Sequence, residues 1–194
     1  MRRRLRVTAV LLLIAASASA VQRDAPSRGD WSAQPKYDGK VTVVRLRWQS
    51  DIGGFGRRGG FGAAWNHDYP RAEQHLSQIL KEVTFIDLHT DGALILALDD
   101  PDLFKYPIAY IIETGFWTMN EKEATGLRNY LHKGGFLIVD DFKPDGWRGI
   151  VGGGWQPFAD NIQRVLPGAR FFEMSQDDPI FHSFFEIKFL NGLR

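Results

Sequence analysis

The chain has 194 residues, 44% of them hydrophobic, no cysteine and a formal charge of +1. The length suits one domain with one core, and the apolar content is ordinary for a globular protein. Absence of cysteine excludes disulfides, thiolate catalysis and cysteine-ligated metals.

Residues 1–20, MRRRLRVTAVLLLIAASASA, run from four arginines through a short apolar stretch to Ala18-Ser19-Ala20. That order predicts a secretory signal peptide cleaved after Ala20, because the apolar stretch is too short to span a bilayer. Loss of Arg2, Arg3, Arg4 and Arg6 takes the formal charge from +1 to −3 over residues 21–194. A chain of that sign has no general attraction to nucleic acid. The expectation is a periplasmic or secreted protein with no membrane span after cleavage. Residues 21–40 are polar, aperiodic and carry two prolines, so they predict a flexible linker. Residues 41–194 remain as a single α/β domain.

VTVVRLRWQ, from Val41 to Gln49, alternates β-branched and aliphatic residues with Arg45 and Arg47, which predicts a first strand. The stretch that follows is dense in glycine and has no period. DYPRAEQHLSQILKEV then predicts a helix, with Asp68 as N-cap, Pro70 in the first turn, and Ala72, Leu76, Ile79, Leu80 and Val83 as its apolar stripe. TFIDL from Thr84 is expected to be a second strand, and YPIAYIIE, ending at Glu113, a third that is buried on both faces. TMNEKEATGLRNYLHKGG predicts a helix with Thr118 and Glu121 at capping-box spacing and Gly134 as a left-handed C-cap. FLIVD follows as a fourth strand, WQPFADNIQRVLPG as a helix and ARFFEM as a fifth strand. Strands alternating with helices imply a parallel, doubly wound sheet.

In such a sheet the carboxyl ends of the strands line the ligand crevice. Asp140 and Asp141 stand at one of those ends and Glu113 at another, so all three are candidate ligand-binding residues. The structural alternative is that the aspartates only end a strand and cap the next turn. Gly54-x-Gly56-x-x-Gly59 matches the dinucleotide fingerprint by letter, but no helix opens on its third glycine. Arg57 and Arg58 within that stretch are candidates for closing over an anion. No H-x-x-x-H pattern exists among the five histidines, so a zinc site would have to be assembled from distant segments. His67 beside Asp68, and His182 after Asp177-Asp178, are the two kept as acid/base or metal groups.

Four segments, WNHDYPRAEQHL, DDPDLFKYPIAYIIETGFWTMNEKEATGLRNYLHKGGFLIVDDF, RVLPGARFFEM and DDPIFHSFFEI, together resemble the bacterial domain-of-unknown-function 4159 family, over about residues 41–188. The positions that match its pattern are Asp68, Tyr69, Pro70, Phe104 to Pro107, Gly134, Gly135, Asp140, Asp141, Pro179, Phe181 and His182. The resemblance implies a class I glutamine amidotransferase-like fold, a flavodoxin-like or Rossmann-like three-layer sandwich, in an exported or membrane-attached protein. It also implies a turn after a strand, here VDDF, where amidotransferases place their cysteine. A carboxylate cannot replace that thiolate, so glutamine hydrolysis is excluded. Two departures stand out: Asp178 occupies the place where the pattern has histidine, and the pattern continues past Arg194, so a closing strand or helix is expected to be missing.

The functional expectation is a non-catalytic exported module that binds a small molecule, a glycan or an envelope protein at the strand ends, with no organic cofactor and a metal as an option. The rival is a hydrolase-type enzyme in which Asp140 and Asp141, with Glu113 or His182, hold a metal or act as acid and base.

Overall fold

Among the described residues four short strands, all parallel, form the centre of the domain in the order β2-β1-β3-β4. The computed structural model describes residues 36–49, 64–90, 93–142 and 153–187. The expected signal peptide, most of the linker, and the glycine-dense stretch with Arg57 and Arg58 lie outside those residues.

Strand β1 is Val43–Arg47, β2 is Leu94–Ala97, β3 is Ile108–Ile112 and β4 is Phe136–Asp140. Helices α1 (Arg71–Val83), α2 (Glu121–His132) and α3 (Trp155–Val165) cover the sheet. Alternate residues of each strand face opposite sides. Val43, Tyr110 and Ile112 pack beneath Ala72 and Leu76 of α1. On the other side Val44, Leu46, Ala109 and Ile111 pack against Ala124 and Leu127 of α2 and Phe158, Ile162 and Val165 of α3. The result is a three-layer α/β sandwich of the flavodoxin-like, Rossmann-like kind. Strand order reverses between β1 and β3, the switch point at which such sheets open a crevice.

Several local expectations are corrected. The second strand is not TFIDL: only Leu88 there makes a bridge, to Val41, while Phe85 is fully exposed. The true β2 lies further on, because Leu94, Ile95 and Leu98 are the residues that reach the core. Helix α1 is capped by no side chain; Asp68 contributes its carbonyl, to the Ala72 amide, and Pro70 holds the N-cap position. The helix also sits rotated from its apolar stripe, with Glu73 and Ser77 buried and Ile79 exposed. Residues 169–174 form no strand. Phe171 turns instead onto the rings of Trp155 and Phe158, at 4.9 and 5.7 Å, and leaves the extended pairing that its neighbours' sequence suggests.

Helix α2 begins two residues later than its spacing suggests. Asn120 is the N-cap and accepts from the Glu123 amide at 2.9 Å, while the Glu123 carboxylate accepts from the Asn120 amide at 2.8 Å. Thr118 is occupied elsewhere, donating to the Gln49 carbonyl. At the other end Gly134 takes the left-handed turn, φ 94°, as expected of a C-cap. Mid-helix Gly126 lets α2 pass the end of β2 so closely that a Cβ would lie 2.6 Å from the Leu98 carbonyl oxygen. No helix among the described residues is long and apolar enough to cross a membrane. Removing the reciprocal cap by Asn120→Ala should lower stability by about 1 kcal/mol in urea unfolding, and Thr118→Ala should cost clearly less.

Candidate functional site

The carboxyl ends of β1, β3 and β4 lie along one edge of the parallel sheet; Glu113 directly follows β3, Asp141 directly follows β4, and Asp68 stands on the turn that precedes α1. Asp68, Glu113 and Asp141 have φ of 57°, 60° and 51°, the only left-handed non-glycine residues among those described. Asparagine and aspartate tolerate that conformation modestly and glutamate poorly. Such residues persist where the surroundings over-determine them, and they cluster at ligand clamps.

The three bends bring His67, Glu113 and Asp141 together. One ligand atom from each lies within 4.8 Å of the others. The His67 Nδ1 is 3.2 Å from Glu113 Oε1 and 3.8 Å from Asp68 Oδ2. Glu113 is buried, whereas His67 and Asp141 face solvent, so the group is reached from outside and anchored from within. Glu113 follows β3 directly, and its amide donates to the Asp140 carbonyl at 3.1 Å. Its position is therefore set by the last rung of the β3–β4 ladder.

The two adjacent aspartates separate. Asp140, the last residue of β4, accepts from the Tyr110 hydroxyl at 2.5 Å and, through its other oxygen, from the Asp141 amide at 2.9 Å. Asp141 then turns left-handed and presents its carboxylate to His67 and Glu113. One carboxylate is used to fix backbone and the next faces solvent beside His67 and Glu113. His182 is not brought to this group: its ring contacts Glu186 at 3.0 Å and the Gln176 carbonyl at 2.8 Å, within its own segment. Asp178 caps the short 3-10 turn Pro179–Phe181 by accepting from the Ile180 amide. Arg57 and Arg58 lie outside the described residues.

Beneath His67 lies a charged side chain that the alternation of β1 presents only as a polar interruption. Arg45, in the middle of the strand, is fully buried. Its Nε donates to Glu73 of α1 at 2.5 Å, and its Nη1 donates to the carbonyls of Trp65 and His67 at 2.7 and 2.9 Å. The guanidinium lies 4.8 Å from the ring centre of Tyr110, its register partner on β3, and 5.8 Å from that of Tyr69, within cation–π range. The usable signal was in the pattern: a strand of a parallel sheet is buried on both faces, so an arginine at its centre demands a buried acid, and Glu73 supplies it from α1.

Burial pushes the Tyr69 hydroxyl up to about 12, with the Glu73 charge adding to the shift. Tyr110 moves the same way, through burial first and its hydrogen bond to Asp140 second.

A family model described as a domain of unknown function, DUF4159, matches residues 45–193, nearly the whole folded part. The chain belongs to the DUF4159 family. A search of the curated proteins found no match. Within this DUF4159 domain the match includes Arg45, His67, Glu113 and Asp141 alike.

Two measurements follow from the geometry. In the metal-free protein Asp140→Ala should cost about 1–3 kcal/mol, since it strips the Tyr110 hydroxyl and the Asp141 amide of their acceptor, while Asp141→Asn should stay within about 0.5 kcal/mol of wild type; paired denaturant melts give both values. Unfolded tyrosine ionises near 10.0 and folded Tyr69 near 12, so the unfolded state loses its protons first. The stability that Tyr69 contributes is then fully present below pH 10 and lost as pH rises toward 12. Tyr69→Phe should flatten that alkaline decline in melting temperature.

Proposed function

We propose that this DUF4159 domain is an exported module that binds a divalent metal ion through His67, Glu113 and Asp141 at the carboxyl end of its sheet. Through that ion it takes an oxygen-bearing partner: a small molecule, a glycan or an envelope protein. The observation that carries the reading is the convergence of one imidazole and two carboxylates, from three separate segments, within 4.8 Å. Residues 1–20 support the exported setting by their basic, apolar and A-x-A order.

The donor set narrows the ion. A ring nitrogen suits zinc, iron and nickel, and the two carboxylates also suit manganese, whereas calcium and magnesium prefer an all-oxygen shell. Three protein ligands leave coordination positions for water or a partner, the arrangement of open rather than closed sites. Those open positions also favour a second reading, a metal-dependent hydrolase in which bound water is the nucleophile. Asp68, beside His67 at 3.8 Å, is then the base within reach.

Isothermal titration of the metal-treated and chelator-stripped protein tests the first reading. Wild type should bind one Zn²⁺ or Mn²⁺ per chain, and His67→Ala, Glu113→Gln and Asp141→Asn should each abolish or strongly weaken binding, with Asp140→Asn weakening it less. Absence of binding by wild type, or equal binding by all variants, refutes the site. Metal-dependent turnover of activated esters by wild type, lost in Asp68→Asn, would select the hydrolase reading.

A further inference from the structure

We infer that Arg45 is the positioning residue of this metal site: it contacts no metal ligand's side chain but fixes the backbone that carries His67, an inference that rests on the metal reading above. His67 stands on a turn with no regular secondary structure of its own, between the 3-10 turn Ala64–Asn66 and the left-handed Asp68. Such a turn needs external anchors if a ring at its end is to be held for coordination. A single guanidinium nitrogen, Nη1, supplies them by bridging the Trp65 and His67 carbonyls. Tyr110 ties the opposite wall to the same centre. Its ring lies against the guanidinium and its hydroxyl donates to Asp140, whose other oxygen accepts from the Asp141 amide. Arg45 therefore links the backbones of two ligands, His67 directly and Asp141 through Tyr110 and Asp140.

A purely stabilising role fits the same atoms badly. Arg45 and Glu73 are both buried, at 0% and 2% exposure, and removing two charges from water costs more than their attraction returns unless every donor and acceptor is satisfied. Here Arg45 Nη2 and Glu73 Oε2 are buried without a hydrogen-bond partner among the described residues. An aliphatic pair of similar volume commonly matches or exceeds the stability of such an ion pair. What an aliphatic pair cannot do is donate to two carbonyls, and lysine, with rotatable donors on one nitrogen of a flexible stem, lacks the rigid plane that serves Glu73 through Nε and both carbonyls through Nη1 at once. Residues that orient metal ligands from behind typically change metal affinity by 10- to 100-fold when replaced.

The test compares wild type, Arg45→Lys, and the double variant Arg45→Met with Glu73→Leu, each by thermal melting and by titration with Zn²⁺ and with Co²⁺, whose visible absorption reports ligand geometry. The double variant should melt at or above the wild-type temperature yet bind Zn²⁺ about 10- to 100-fold more weakly, with an altered Co²⁺ spectrum. Arg45→Lys should fold and show the same loss of affinity. Wild-type affinity and an unchanged Co²⁺ spectrum in either folded variant overturn the inference while leaving the metal site standing. Collapse of both variants overturns it too, by making the pair a stability device. A wild type that binds neither ion defeats the metal reading itself, and this inference falls with it.

Discussion

A full positive charge in the centre of β1 is the constraint from which most of this architecture follows. Arg45 lies in a strand flanked by β2 and β3 and covered by α1, so no water reaches it. The charge must be met from inside the protein. Glu73 meets it from the first turn of α1, the Trp65 and His67 carbonyls meet it from the turn that precedes that helix, and the Tyr110 and Tyr69 rings meet it from the strand and the loop beside it. Helix α1 is thereby fixed in rotation. Its apolar stripe alone would have buried Ile79, but the ion pair turns Glu73 inward, and Ile79 is left more than half exposed. An electrostatic demand has overruled the amphipathic pattern of a surface helix.

That demand also bears on why, among the described residues, the left-handed non-glycine backbone lies at one edge of the sheet. Asp68, Glu113 and Asp141 each occupy a conformation that an L-residue adopts at a cost. Each stands next to a group held firmly by something else. Asp68 follows the carbonyl that Arg45 grips, Glu113 is tied through its amide to the end of β4, and Asp141 is tied to Asp140. Strain of this kind survives only when neighbours leave the chain no alternative, and the buried charge network provides that rigidity. The same bends turn His67, Glu113 and Asp141 toward one point instead of letting the strands run on into solvent.

The layer architecture was legible in the sequence because it depends on patterns that repeat over many residues. Alternation marks β1, an unbroken apolar run marks β3, and the stripes of α2 and α3 are regular. What was not legible depends on single residues choosing between partners. Leucine-rich Leu94–Ala97 carries no alternation and no β-branched run, so strand and helix are equally consistent with it, and the more β-like TFIDL draws the assignment away. Asn120 outcompetes Thr118 as a cap because the antiparallel bridge between Gln49 and Thr118 claims the threonine for the strand side. Phe171 abandons a strand for an aromatic cluster that exists only once Trp155 and Phe158 lie together on α3. At the site, spacing drew attention to the adjacent pair Asp140 and Asp141, yet the group that converges takes only one of them and adds His67 from forty-six residues before Glu113. Tertiary structure alone makes these neighbours.

Two consecutive aspartates stand at the end of β4 because its last residue and the one after it do different work. A carboxylate that faces a crevice needs its backbone fixed, because a flexible loop would spend the binding free energy of any ligand on ordering itself. Asp140 does that fixing with both oxygens, one toward the Tyr110 hydroxyl and one toward the next amide. Asp141 is thereby held left-handed with its own carboxylate directed at His67 and Glu113. Neither role can be moved to the other residue. Asp140 lies on the α1 face of the sheet, where Tyr110 and the Arg45 guanidinium are, and Asp141 lies beyond the last rung of the ladder, turned toward His67 and Glu113. The pair therefore converts the rigidity of a buried ion network into the orientation of one exposed oxygen ligand.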